Sequence, residues 1–217
     1  MESTKRGVGR KIIMAVTGLI LFCFVIGHML GNTTIFFNAI NAYAEHLRAL
    51  GPFLWLIRAV MLVVFAVHIW YGIELTMENK AATGQPYVKK VDKRATFSSK
   101  TMIISGLVLL VFVIYHLGHF TFHVGVDEAH VVGDHIDVYA MVVDGFRSLM
   151  NVLIYGIAMV LLYLHVAHGG QSFLHTLGLS NDKSLPVVTP ASKLVAVVLL
   201  IGYISIPLLV IAGVVKL

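Results

Sequence analysis

Several histidines of this 217-residue chain lie inside long apolar stretches, where an ionisable side chain is costly and usually serves a function. They are His28, His68, His116, His119, His165 and His168. A neutral imidazole is a good ligand for a transition metal, and its charge changes near neutral pH. The candidate chemistry is therefore metal ligation or proton movement, set against simple packing through a hydrogen bond.

The composition indicates what surrounds these histidines. Hydrophobic residues make up 58% of the chain, charged residues 12%, and the mean hydropathy is +0.88. These values exclude an ordinary soluble domain and a disordered chain, and the single cysteine, Cys23, excludes an intramolecular disulfide. The net charge of +5 does not indicate nucleic acid, because the basic residues cluster in short segments between apolar runs.

Five segments are long and apolar enough to cross a bilayer, which takes about 20 residues of helix. They are predicted at about 12–37, 54–78, 101–123, 147–174 and 191–215. The first is too long for a signal peptide and lacks a cleavage site, so it is predicted to be retained. The predicted fold is all-α, a single integral membrane domain over 1–217, with Pro186 and Pro190 in the loop before the fifth helix.

The distribution of charge predicts the orientation. Twelve of the 16 Lys and Arg residues fall on one side: Lys5, Arg6, Arg10, Lys11, Lys80, Lys89, Lys90, Lys93, Arg94, Lys100, Lys183 and Lys193. The third loop, on the opposite side, carries Asp127, Glu128, Asp134, Asp137 and Asp144, and is expected to be solvated. By the positive-inside rule, the N-terminus is cytoplasmic and the C-terminus external.

Depth sorts four of the histidines into two pairs. From the helical rise, His28 and His116 lie about 24 Å above the cytoplasmic edge, and His68 and His165 about 18 and 15 Å above it. Two imidazoles that face each other in a helical bundle suit the two axial positions of a haem iron. Gly31, Gly72 and Gly169 could leave room for a flat porphyrin beside these histidines, although small residues serve helix packing equally well. A transporter of protons or metal ions is the more distant alternative. An inverted repeat in the sequence would favour it, and no inverted repeat is found.

Several segments, in this order and spacing, resemble one membrane protein family. They are FVIGHMLGN around His28, the loop NAYAEHLRALGPFLW, VHIWYGIELTMENK around His68, VIYHLGH around His116, and LYLHVAHGGQSFLHTLGL around His165. Over nearly its whole length, the chain resembles the five-helix, two-haem cytochrome b subunit of succinate:quinone oxidoreductases, which include succinate dehydrogenases and quinol:fumarate reductases.

The resemblance implies which histidines bind haem. His28 and His116 would ligate an outer haem b, and His68 and His165 an inner one. It favours His116 over His119 and His165 over His168, two choices that the three-residue spacing leaves open. His119 and His168 would then lie behind the ligands, face a propionate or pack. Candidate donors to the propionates are Arg6, Arg10, Thr17, Ser99, Ser172 and His175.

The resemblance also implies partners. A flavoprotein subunit with covalent FAD and an iron–sulfur subunit would dock on the cytoplasmic face of a bacterial inner membrane, and the whole complex could form a higher oligomer. A quinone, expected to be menaquinone, would react near the outer surface, with Glu45 as proton relay and Asn32, His46 and Arg48 as contacts. A solvated loop is the alternative for these residues. Some members carry a proton-conducting glutamate at the position of Tyr163, so that path is not expected here. A dihaem cytochrome b of a hydrogenase or formate dehydrogenase is the nearer alternative function.

Overall fold

The computed structural model describes residues 2–82, 97–124, 131–132 and 135–217. Its helices are α1 (Glu2–Thr33, continued by a 3₁₀ turn at Thr34–Phe37), α2 (Ile40–Ala49), α3 (Pro52–Ala82), α4 (Phe97–Lys100), α5 (Met102–Phe120), α6 (Val138–Arg147), α7 (Leu149–Thr176) and α8 (Leu185–Ile211). Two short strands, β1 (Val131–Val132) and β2 (His135–Ile136), pair antiparallel between α5 and α6.

Five helices of the described residues are long and apolar enough to cross a membrane, in agreement with the five predicted spans. They cover Gly7–Phe37, Pro52–Ala81, Met102–Phe120, Leu149–Thr176 and Leu185–Ile211. Most of their surface faces outward with large apolar side chains, of which Trp55, Trp70 and Val111 are examples. Such a surface is stable only against lipid or another apolar partner.

The start of the fifth span was predicted wrongly. Pro186 and Pro190 were expected in a loop, yet α8 begins at Leu185 and contains both prolines. Pro186 lies in the first turn, where a backbone N–H has no partner within the helix, so its missing donor costs nothing there. The helix ends before Gly213, whose positive φ of 72° lets the chain turn back so that the N–H of Val214 donates to the carbonyl of Leu209.

Four of the long helices form a ring. Helix α1 contacts α3 and α7, and α5 contacts α7 and, less extensively, α3. Helix α8 lies outside this ring against α7 and α1. Its Tyr203 hydroxyl donates to the carbonyl of Val25 at 2.7 Å, and its Gly202 lies where a Cβ would overlap Met29.

Two short helices cover one end of the bundle, here called the α2–α6 end. Helix α6 buries Ala140, Met141, Val142, Val143 and Phe146, and Ile35 and Ile40 belong to the same core. Asp137 was expected in a solvated loop, and this is wrong: its carboxylate accepts the N–H of Ala140 as the cap of α6 and a hydrogen bond from Asn41 of α2. Asn41 also accepts the N–H of Tyr139 at 3.0 Å, which ties α2 to α6.

The opposite end, here called the basic end, carries Arg10, Lys11, Lys80, Lys100, Lys183 and Lys193. Arg10 forms ion pairs with Glu74 and Glu78, which join α1 to α3. Several charged residues used to predict orientation lie outside the described residues: Lys89, Lys90, Lys93, Arg94, Asp127, Glu128 and Asp134, together with the side chains of Lys5 and Arg6.

Candidate functional site

The ring of helices brings four histidines together as two facing pairs. The imidazole centroids of His28 and His116 are 5.7 Å apart with an interplanar angle of 83°, and those of His68 and His165 are 6.3 Å apart at 68°. The first pair joins α1 to α5, and the second joins α3 to α7. We call them the His28/His116 site and the His68/His165 site.

The distances within both pairs suit two imidazoles that share one metal ion. A nitrogen–metal bond is about 2 Å long, so two such bonds and half the width of each ring place the centroids about 6 Å apart. Among the described residues, no group of three or more His, Cys, Asp or Glu side chains could hold a bare metal ion. A site with two protein ligands suits an ion whose other ligands come from a macrocycle, as in bis-histidine haem.

The neighbouring histidines face other partners. His119 stacks on Phe120 at 4.0 Å between centroids, and its Nδ1 lies 3.3 Å from the Tyr155 hydroxyl. His168 lies 3.2 Å from the side-chain amide of Gln171. Neither forms a ring contact with His28 or His68, so the geometry places His116 and His165 in the facing pairs.

A hydroxyl group lies against Nδ1 of each ring in the His68/His165 site. The Thr17 hydroxyl is 3.3 Å from Nδ1 of His68, and the Ser105 hydroxyl is 3.2 Å from Nδ1 of His165. Each hydroxyl has a carbonyl of its own helix within donating distance, Ile13 at 2.8 Å for Thr17 and Met102 at 3.0 Å for Ser105. When each hydroxyl donates to that carbonyl, its oxygen is free to accept from the ring.

These contacts favour the same tautomer for both rings. The Thr17 hydroxyl also lies 3.1 Å from the carbonyl of Met14, so each hydroxyl has a backbone carbonyl to which it can donate. A hydroxyl that donates to a carbonyl can only accept from an imidazole, which favours a ring proton on Nδ1. With the proton on Nδ1, beside the hydroxyl, Nε2 keeps the lone pair that a metal requires.

Glycine lets each of these rings approach the backbone of the neighbouring helix. A Cβ on Gly18 would lie 3.2 Å from Cε1 of His68, and a Cβ on Gly106 would lie 3.4 Å from Cε1 of His165. Each glycine directly follows the hydroxyl residue, so Thr17–Gly18 and Ser105–Gly106 form equivalent cradles on α1 and α5.

The sequence prediction missed these cradles. Thr17 was expected to bind a propionate, whereas Ser105, Gly18 and Gly106 were not singled out. The signal is a direct repeat: MAVTGLILFCFVIGH ends at His28, and MIISGLVLLVFVIYH ends at His116. Both follow the order Met-x-x-hydroxyl-Gly-Leu and close on Phe-Val-Ile-x-His, so the hydroxyl precedes the histidine by the same interval in each.

The His28/His116 site has a different environment. Nδ1 of His116 lies 3.2 Å from the hydroxyl of Tyr155, a buried residue that His119 also contacts. The side-chain nitrogen of Asn32 lies 3.3 Å from Nε2 of His28 and donates to the His28 carbonyl at 2.7 Å. Asn32 was expected at a quinone, but its contacts are with the candidate haem ligand, and its amide must move if iron is to bind at Nε2.

The three glycines predicted to face a porphyrin have different surroundings. Gly31 lies where a Cβ would meet the ring and hydroxyl of Tyr43, so it serves the packing of α2. Gly72 faces the end of Met14 at 3.4 Å, whereas a Cβ on Gly169 would meet nothing within 4 Å. Of these positions, only Gly169 borders open space.

The predicted quinone residues lie on α2, which is a helix and not the loop that was expected. Glu45 and His46 are exposed, and Arg48 is half-buried in the last turn. The structure thus brings them to the same end of the bundle as the His28/His116 site.

The candidate propionate donors are scattered. Arg10 pairs with Glu74 and Glu78, Ser172 and His175 are exposed near the end of α7, and Ser99 is half-buried on α4. The side chain of Arg6 lies outside the described residues. Tyr163 packs beside the cluster formed by Met29, Val166, Ala167, Ala196 and Leu199.

Comparison with known proteins adds no relative to this picture: no protein-family model, no curated protein and no solved structure matches the chain.

Proposed function

We propose that this chain is a dihaem cytochrome b, the membrane-anchor subunit of a succinate:quinone oxidoreductase. The observation that carries the proposal is the presence of two facing imidazole pairs at two levels of one helical ring. Packing can explain a single buried histidine. Two facing pairs of histidines on four helices are better explained by a shared function.

The levels of the two pairs follow from the repeat. Thr17 and Ser105 contact the His68/His165 site, and eleven positions further along α1 and α5 come His28 and His116. At 1.5 Å of rise per residue, the two sites are about 16 Å apart along the helix axes. The chain therefore holds two ligand sets in series between the basic end and the α2–α6 end.

The residues of the chain would hold and orient the haems. His28 and His116 would hold one haem and His68 and His165 the other, each site with an imidazole from two opposite helices of the ring. When bound, haem b supplies reversible one-electron transfer. The ring of helices encloses the four half-buried imidazoles and fixes the distance between the two levels.

The partners in this proposal derive from the resemblance and from charge. The basic end would face the cytoplasm and dock the flavoprotein and iron–sulfur subunits, where the dicarboxylate reacts. A quinone, in the proposal menaquinone, would react at the α2–α6 end, where Glu45, His46 and Arg48 lie beyond the His28/His116 site.

The test is a reduced-minus-oxidised absorption spectrum of the purified full-length chain, with haem counted per polypeptide. We expect two haems in the wild type. His28→Ala or His116→Ala should remove one, and His68→Ala or His165→Ala the other. His119→Ala and His168→Ala should keep both, and His46→Ala, on the exposed face of α2, is the matched control.

Two outcomes would overturn the proposal. A colourless chain, expressed with haem supply and folded by circular dichroism, would exclude a cytochrome. Loss of haem from His119→Ala in place of His116→Ala would overturn the assignment of ligands. Co-purification of a nickel or molybdenum subunit with the chain, in place of a flavoprotein, would reassign it to another dehydrogenase.

A further inference from the structure

The groups that contact the imidazoles of the His68/His165 site differ from those that contact the His28/His116 site. Thr17–Gly18 and Ser105–Gly106 each place a hydroxyl and a glycine against one imidazole, and in each the hydroxyl can donate to the carbonyl three residues earlier. His116 has the Tyr155 hydroxyl instead, and His28 has the amide of Asn32 at Nε2. The two ligand sets are therefore chemically unequal.

This inequality acts on the electron density of the imidazole. A hydrogen bond from Nδ1–H to an oxygen fixes the ring orientation and raises the basicity of Nε2 as a ligand. A more basic ligand stabilises the oxidised metal and so lowers the reduction potential. Both rings of the His68/His165 site have a hydroxyl oxygen within 3.3 Å of Nδ1, so both are placed to donate in this way.

We propose that Thr17 and Ser105 are positioning residues that lower the reduction potential of the haem held by His68 and His165, an inference that rests on the proposed function. They act through the ligands and do not touch the iron. The direct repeat in α1 and α5 gives the two residues the same role from opposite sides of the site.

The experiment is a redox titration of the purified, haem-loaded chain, with the two haems followed by their absorption bands. Thr17→Val and Ser105→Ala remove the hydroxyls and leave the backbone carbonyls in place. Each should shift the potential of one haem upward, and the double variant should shift it further. The haem that is lost in His28→Ala should keep its potential. Thr17→Ser and Ser105→Thr retain a hydroxyl and should restore the wild-type value.

A second measurement needs no haem. In the haem-depleted chain with ¹⁵N-labelled histidine, the signals of His68 and His165 should report a proton on Nδ1. Thr17→Val and Ser105→Ala should convert the respective ring to a mixture of tautomers. The assignment comes from His68→Gln and His165→Gln, which remove one signal each.

The outcomes separate this inference from the proposed function. Haem-loaded variants with unchanged potentials and unchanged tautomers would overturn the inference and leave the cytochrome intact. Equal upward shifts of both haems would also overturn it, because they would indicate a general loosening of the bundle. A wild-type chain that binds no haem would overturn the proposed function itself.

Discussion

When two histidines lie three residues apart on a helix, the side chains around each one decide which of them faces a partner helix. His116 and His119 both lie on the inner side of α5, and the sequence pattern alone leaves either one free to face α1. The structure separates them through their neighbours: His116 faces His28, whereas His119 stacks on Phe120. Such a choice depends on which side chains arrive from other helices, which local spacing does not encode.

The glycines of α1 allow a direct test at this scale. Gly18→Ala should lower the free energy of unfolding by about 1 kcal/mol relative to Gly27→Ala, because its Cβ would press on His68 while both substitutions gain the same helix propensity. Gly27→Ala is the matched control on the same helix, since nothing lies within 4 Å of a Cβ there. Thermal unfolding in detergent, followed by circular dichroism, measures the difference. Equal midpoints for the two variants would contradict the cradle geometry.

The helices show which elements hydropathy predicts. All five spans were found because each offers a long apolar window, which only a membrane-sized helix satisfies. Helices α2 and α6 were missed, since ten residues with mixed polarity do not differ in pattern from a polar loop. Their stability comes from tertiary contacts, such as the bridge from Asn41 to Asp137, that no local pattern contains.

The ion pairs of Arg10 give a prediction at the scale of helix packing. Arg10→Gln should lower the thermal midpoint at low ionic strength, because it removes the link from α1 to Glu74 and Glu78 of α3. The deficit should shrink in high salt, since partly exposed charges are screened. Lys11→Gln, an exposed neighbour, is the control. A deficit that does not change with salt would indicate lost packing in place of lost charge.

The whole molecule has two ends of different character. One carries the exposed lysines and Arg10, and the other is covered by α2 and α6. The sequence predicted this asymmetry through its charges, but the direction of insertion follows from the positive-inside rule and from no contact within the chain.

Cysteine labelling in intact cells tests that direction. The single native cysteine, Cys23, is exposed on the apolar surface of α1, and Cys23→Ala provides the background. A membrane-impermeant maleimide should label Glu45→Cys from outside and Lys183→Cys only after permeabilisation. The reverse pattern would place the basic end outside and contradict the proposed docking of the soluble subunits.

Each facing imidazole pair joins a helix from the first half of the chain to one from the second. During synthesis, the His28/His116 pair can form only once α5 has joined the bundle, and the His68/His165 pair only once α7 has. A prosthetic group that needs both imidazoles of the second pair would consequently be acquired only after most of the chain has been made. A chain truncated before α7 would lack His165, and we expect the cell to degrade it as an incompletely folded product.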